Sequence, residues 1–328
     1  MGKWLKRIIG FFVIAYLFLL LLILIILRYF GDEWWLSSLL LYGPRNLYWL
    51  PWLIFLPLTF LWNRKLILPV GISGFVLLFP ILGFNIPFEK LLKGDQPAAF
   101  RVLTYNIQRW SVSALEFSEL LDRLRPDFAA VQECAPSRWQ LPSEWHIQRS
   151  QSTIVVSRYP IIRTEISHRK PDVNGLYCVI DTPNGLIGFC CVDLLTPRRA
   201  LTKVLDPERI LKFEEADGAQ RKIEDRWKES EALSDWLKRF PGPKIIAGDF
   251  NLTIDSPIYR TYWSGYGNAF SQSGFGFGHT KYTKINIFKY HSRIDHVLTT
   301  PHFRAVNCFV GPDFGSDHLP LVADLVRN

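Results

Sequence analysis

Two regimes of hydrophobic patterning divide this chain. Between residues 8 and 88 nearly every position is apolar or aromatic, whereas later apolar positions come in short runs punctuated by charge and by turn residues. The run at 8–30 follows Lys3, Lys6 and Arg7 and is long enough to cross a bilayer as a helix. A cleavable signal peptide would have a shorter apolar region and a small-residue cleavage site. Two weaker spans, 47–62 and 66–84, carry Pro and Gly, which membrane helices tolerate. The second span is short, and a hairpin dipping into the membrane is an alternative. The sequence therefore predicts a membrane region over 1–92, an integral, multi-pass membrane protein with Lys3, Lys6 and Arg7 in the cytoplasm. Three crossings would place the remainder outside it.

Hydrophobicity drops and turn residues gather at Leu92-Lys93-Gly94-Asp95-Gln96-Pro97, which marks the start of a second domain, 95–328. Strands are expected at 101–107 and 127–133. Between them Ser113 and Glu116 form a capping box for a helix whose stripe is Leu120, Leu121 and Leu124. Further strands are expected at 153–157, 161–166, 176–181 and 186–192. Pro183-Asn184-Gly185 should close the last two into a hairpin, because Asn-Gly suits positive backbone angles. A helix ending at Arg239 offers Ile223, Trp227, Leu233 and Trp236 as its buried face, and a strand-rich half follows. Several antiparallel hairpins with helices between them argue for an α/β protein: two packed, mixed, largely antiparallel sheets flanked by helices.

Bulk composition narrows this little. The net charge of +8 over 328 residues suits an anionic partner such as nucleic acid, phosphate esters or lipid headgroups, and suits a solvated surface as well. Five Cys with no Cys-x-x-Cys pair argue against a cysteine zinc site. Adjacent Cys190 and Cys191 in one strand should point to opposite faces.

Chemistry is concentrated at strand ends. The segments are Thr104-Tyr105-Asn106-Ile107, Val131-Gln132-Glu133, Gly248-Asp249-Phe250-Asn251, Arg293-Ile294-Asp295-His296 and Gly315-Ser316-Asp317-His318. Each alone is commonplace; an Asp-x-Asn is most often a turn. Together they supply carboxylates, amides and an imidazole, a set suited to phosphate-ester hydrolysis with a hard divalent cation. As an ordered set, with Asn268-Ala269-Phe270 and Gly276-Phe277-Gly278-His279-Thr280 between the third and fourth, they resemble the endonuclease/exonuclease/phosphatase (DNase I-like) superfamily. The apolar N-terminal segments look like those of membrane-anchored bacterial members.

The resemblance implies a four-layer sandwich and a role for each residue. Glu133 would be the principal metal ligand, with Asn106 beside it and Asp317 completing the site, for Mg²⁺ or Mn²⁺. Asp249 would orient or deprotonate the attacking water, and Asn251 would hold a phosphate oxygen or the nucleophile. His318 would bind phosphate or shuttle a proton, with Asp295 fixing its tautomer. His296 should point away from Asp295 and serve packing. His279 could pack its loop or touch substrate, and Arg198 and Arg199 could meet phosphate or lie solvated. One position departs from the resemblance: Asp193 stands where the family usually delivers a His. A carboxylate there repels phosphate unless it binds metal or keeps its proton. The expected function is a membrane-anchored phosphodiesterase acting on nucleic acid or phospholipid. The alternatives are a non-catalytic binding member and a membrane accessory protein.

Overall fold

The computed structural model describes residues 3–94, 96–109, 111–134, 141–167, 174–197, 213–285 and 288–328. It divides into two compact units, Met1–Phe84 with Asp255–Pro257, and Asn85–Ile254 with Ile258–Asn328.

In the first unit the helix Lys3–Phe30 covers the expected first span and begins five residues before it. The other two expected spans resolve into the 14-residue helix Trp49–Trp62 and a continuous helical stretch from Arg64 to Ile81. At 1.5 Å per residue, 14 residues reach only about 21 Å, short of a hydrocarbon core of about 30 Å. Among the described residues, two helices, Lys3–Phe30 and Arg64–Ile81, are long and apolar enough to cross a membrane. Ile9 and Val13 pack against Val70. Much of the remaining apolar surface, including Phe11, Phe18, Leu22 and Ile25, faces outward.

The second unit holds two six-stranded sheets. In the first, β13 (Phe303–Val310), β14 (Leu321–Arg327), β1 (Phe100–Arg109), β2 (Phe128–Cys134), β4 (Ile154–Ser157) and β3 (His146–Arg149) lie in that order. In the second the order is β5 (Ile161–Ile166), β6 (Asn174–Thr182), β7 (Gly185–Asp193), β8 (Lys244–Asp249), β12 (Asp295–Thr299) and β9 (Gly267–Asn268). A separate hairpin joins β10 (Lys281–Ile285) to β11 (Phe288–Ser292).

Period-two alternation builds the layers. Phe100, Val102, Phe128 and Ala130 face Cys178, Phe189, Cys191 and Ile245 across the interior of the sandwich. Phe128 and Phe189 meet there with ring centroids 5.5 Å apart. The opposite faces are covered by helices. Leu103, Tyr105 and Val131 pack on Phe117, Leu120 and Leu121 of the helix Ala114–Leu124, whose capping box is present. Cys190, Val192 and Ile246 pack on Leu233, Trp236 and Leu237 of the helix Phe213–Lys238. The four layers follow, and the two adjacent cysteines do face opposite ways.

The β6–β7 hairpin forms by different turn chemistry from that expected. Thr182 pairs with Gly185, so the loop residues are Pro183 and Asn184. Positive φ falls on Gly185 alone, at 95°. Proline fixes φ near −65°, which excludes a turn with both central residues at positive angles.

Each sheet is antiparallel except for one central pair. β1 runs parallel to β2, joined by the helix Ala114–Leu124, and β7 runs parallel to β8, with the helix Phe213–Lys238 between them in sequence. Such crossovers place the carboxyl ends of both strands of a pair at the same edge, where ligands bind in open α/β sheets.

Candidate active site

The carboxyl ends of these strands carry the candidate residues: Asn106 on β1, Glu133 on β2, Asp193 on β7 and Asp249 on β8. Asp295 opens the antiparallel β12 directly opposite Asp249. The loop Ser316–His318 precedes β14, which pairs with β1. Gly248 lets β8 lie close to β7, because a Cβ there would stand 2.0 Å from the Val192 carbonyl oxygen.

The backbone at this edge is strained where side chains must be aimed. Among the described residues, five non-glycine positions have positive φ. Four of them are here: Gln108, Arg109, Glu133 and Asn251. Such angles are uncommon outside glycine and cluster at functional sites.

Hydrogen bonds knit the segments together. Asn106 Nδ2 donates to Glu133 Oε1 at 3.2 Å and to Asp249 Oδ2 at 3.0 Å, while its Oδ1 accepts from the Gln108 amide. Asp249 Oδ1 accepts from the Asn251 amide at 2.8 Å, and Asn251 Nδ2 donates to the Leu194 carbonyl at 2.7 Å. His318 Nδ1 lies 3.0 Å from Asp295 Oδ2, and Nε2 lies 3.6 Å from Asp249 Oδ2. Ser316 Oγ donates to the Asn106 carbonyl and accepts from the His318 amide.

Electrostatics separates the two central aspartates. Burial raises the pKa of both, and His318 lowers both. The imidazole is closer to Asp295, which also takes the Nδ1 hydrogen bond, so Asp295 ends below the ordinary carboxylate value. Asp249 ends well above it, pushed by burial and by the charge of Asp295. Burial opposes a charge on His318, but Asp295 and Asp249 together outweigh it, so its pKa rises. One carboxyl is thereby poised to take a proton and the imidazole to carry one.

Asp193 sits level with Asp249 on the neighbouring strand. Desolvation, then Asp249, Glu133, Glu229 and Asp295, push its pKa well above the ordinary value. The expected departure is therefore in the site and belongs to a crowd of carboxylates.

Asp317 has a neighbour that sequence reasoning missed. Lys281, on β10, forms an ion pair of 2.5 Å with its Oδ2, each side chain 12% exposed. Lys281 directly follows the Gly276–Thr280 segment, and only the β10 pairing with the loop before β14 brings it in. Arg226 and Glu229 were missed as well. Arg226 donates to the carbonyls of Leu195 and Asn251, and Glu229 accepts from the Leu195 amide, so the helix Phe213–Lys238 buttresses the segment after β7.

His296 takes the packing role expected of it. It is buried between Asn268, which meets Nδ1, and the Leu252 carbonyl, which meets Nε2. Burial pushes its pKa down to about 4. His279 stacks between Phe277 and His291. Arg198 and Arg199 lie outside the described residues.

The donor set fits a hard divalent cation. Oxygen ligands predominate, and the carboxylates that crowd Asp193 exceed the nearby positive charge of His318 and Lys281. Donor atoms of Asp249, Asp295 and His318 lie within 4.8 Å of one another. The hydrogen bond from His318 to Asp295 makes that trio better suited to proton transfer. Glu133 and Asn106 stand beside it.

A family model described as Endonuclease/Exonuclease/phosphatase family matches residues 103–318. The chain belongs to this family. Its members are phosphoesterases, for which a divalent metal is typical. Solved structures agree on the fold. An endonuclease/exonuclease/phosphatase family protein from Leptotrichia buccalis is 14% identical, with a TM-score of 0.52 over 70% of this chain and 100% of that one. A Neisseria 3′ phosphatase bound to a product DNA hairpin is 16% identical, with a TM-score of 0.52 over 70% and 100%. An AP endonuclease from Archaeoglobus fulgidus is 15% identical, with a TM-score of 0.51 over 70% and 99%. No curated protein matches the chain.

Proposed function

We propose that the protein is a membrane-anchored, divalent-metal-dependent phosphodiesterase. The observation that carries the catalytic part is the split between Asp249, with its raised pKa, and the His318–Asp295 pair 3.0 Å across. Asp249 accepts the proton of the attacking water. Asn251 holds Asp249 in place through its backbone amide and through its own tie to Leu194. His318, fixed at Nδ1 by Asp295, presents Nε2–H to a phosphate oxygen or to the leaving oxygen.

Glu133 and Asn106 would hold Mg²⁺ or Mn²⁺. Asp317 can join them only by sharing its charge with Lys281. When bound, the cation supplies positive charge that neutralises the phosphate oxygens. Nucleic acid and phospholipid both present such a diester, and the DNA-bound Neisseria relative supports the first.

Anchoring rests on the two long apolar helices and on their outward-facing Phe and Leu side chains. Asp193 favours a second reading, a binding protein without turnover. Hydrolysis of bis(p-nitrophenyl) phosphate by the detergent-solubilised chain, with Mg²⁺ or with chelator, separates the two. Glu133→Gln should abolish metal-dependent turnover, and Asp249→Asn should lower it by at least about 100-fold, the scale of a positioned base. Near-normal rates in folded Asp249→Asn overturn the assignment, and metal binding without turnover in the wild type favours the second reading.

A further inference from the structure

The helix Phe88–Lys93 belongs to the catalytic unit and turns its apolar face outward. Phe88, Leu91 and Leu92 stand at i, i+3 and i+4, the spacing of one helical face. A helix packed on a domain points that face inward. Here the three side chains are 68%, 65% and 87% exposed. Phe275, 68% exposed, lines the same groove as Leu91.

This patch is rigidly attached to the domain. Asn85 and Gly276 exchange two backbone hydrogen bonds, of 2.8 and 3.0 Å. The Asn85 side-chain amide donates to the carbonyls of Gly274 and Phe270. Lys90 donates to Asn307 at 2.6 Å. Among the described residues, the other large exposed apolar side chains of this unit, Leu115, Ile162 and Leu186, come from separate elements. Among the described residues, Lys90, Lys93 and Arg304 flank the patch together with Glu89.

We infer that Phe88, Leu91, Leu92 and Phe275 form a contact with the surface of a phospholipid bilayer. Chain continuity selects the bilayer over other occupants. Ile81, the last residue of the apolar helix Arg64–Ile81, precedes Phe88 by seven positions, and seven residues can span at most about 25 Å. A bilayer crossed by that helix is always within reach of the patch. Basic residues flanking apolar side chains suit an anionic interface. The loop carrying Phe275 leads on to Thr280, whose hydroxyl accepts from the Asp295 amide. This inference rests on the proposed anchoring.

The test uses the full chain in phosphatidylcholine–phosphatidylglycerol vesicles containing doxyl-labelled lipid in both leaflets. The native cysteines are all buried. An environment-sensitive fluorophore is placed singly at Leu92→Cys, Phe275→Cys, Phe18→Cys and Ile162→Cys. Labels at 92 and 275 should lose about half their emission to shallow doxyl groups, and the label at 18 should respond to deep ones. The label at 162 should stay unquenched. Quenching at 18, with 92 and 275 behaving like 162, overturns the contact and leaves the anchor standing. No quenching at 18 overturns the anchor and the contact with it. Shielding at 92 that grows with protein density and ignores doxyl lipid assigns the patch to a second copy and overturns the bilayer.

Discussion

Replacing Asp295 by Asn keeps the size of the side chain and removes the charge that holds His318. At Nδ1 to Oδ2 the two are 3.0 Å apart, each side chain under 4% exposed. At an effective dielectric of ~20, unit charges at about 3 Å attract by about 5.5 kcal/mol. Desolvation opposes this, and breaking a buried pair by removing one partner costs about 3–5 kcal/mol. The sign follows from the shifts. His318 has a raised pKa, so its contribution is complete below the unfolded value and is lost as pH rises through the folded one. Asp295 has a lowered pKa, so its contribution is present above the unfolded carboxylate value and is lost as pH falls through the folded one. The pair therefore stabilises most in the window between them. Asp295→Asn should cost about 3–5 kcal/mol at about pH 6. As pH rises through the raised pKa of His318 the cost should fall to about 1.5–3 kcal/mol, because a neutral imidazole forfeits only its hydrogen bond to a charged acceptor. Urea unfolding of a fragment spanning 85–328, in chelator so that metal binding does not contribute, measures both values. In activity, the alkaline limb of the pH–rate profile should move to lower pH, since burial then acts on His318 with less opposition. Equal losses at both pH values, or a loss under about 1 kcal/mol, would refute the charged pair.

Three further outcomes are expected. Asp193→His should lower KM for an aryl phosphodiester without lowering kcat; if this change and Asp193→Asn instead weaken the Mg²⁺ dependence, Asp193 is a metal ligand. Lys281→Met should move both limbs of the pH–rate profile to higher pH, because Lys281 lowers the pKa of Asp249 and of His318, and an unshifted profile refutes that coupling. A reporter fused after Asn328 should be active in the cytoplasm, since Lys3, Lys6 and Arg7 favour a cytoplasmic N-terminus and the crossing pair Lys3–Phe30 and Arg64–Ile81 returns the chain to that side; activity only outside the cytoplasm refutes the pair and requires Trp49–Trp62 to cross as a third span.

What the sequence by itself determined was local. Short apolar runs bounded by turn residues located most of the strands of the first half within a residue or two, because the central strands are buried on both faces, in the sandwich interior and under a helix. The capping box at Ser113 and the opposed faces of Cys190 and Cys191 were likewise legible, since both depend on neighbours a few positions away. So were the chemical types at the strand ends, where Asn106, Glu133, Asp249 and Asp295 stand. The tertiary structure decided everything that depends on partners far along the chain. β3 is four residues long with no buried position, so no apolar run announced it. The turn at Pro183-Asn184 takes its form from strand pairing as well as from residue preference. Which carboxyl keeps a proton was hidden because it depends on whether His318 lies nearer Asp295 or Asp249, a difference of 0.6 Å between residues at least 23 positions apart. Lys281 was invisible for the same reason: nothing local distinguishes it from a solvated lysine until β10 pairs with the loop before β14 and sets its charge against Asp317.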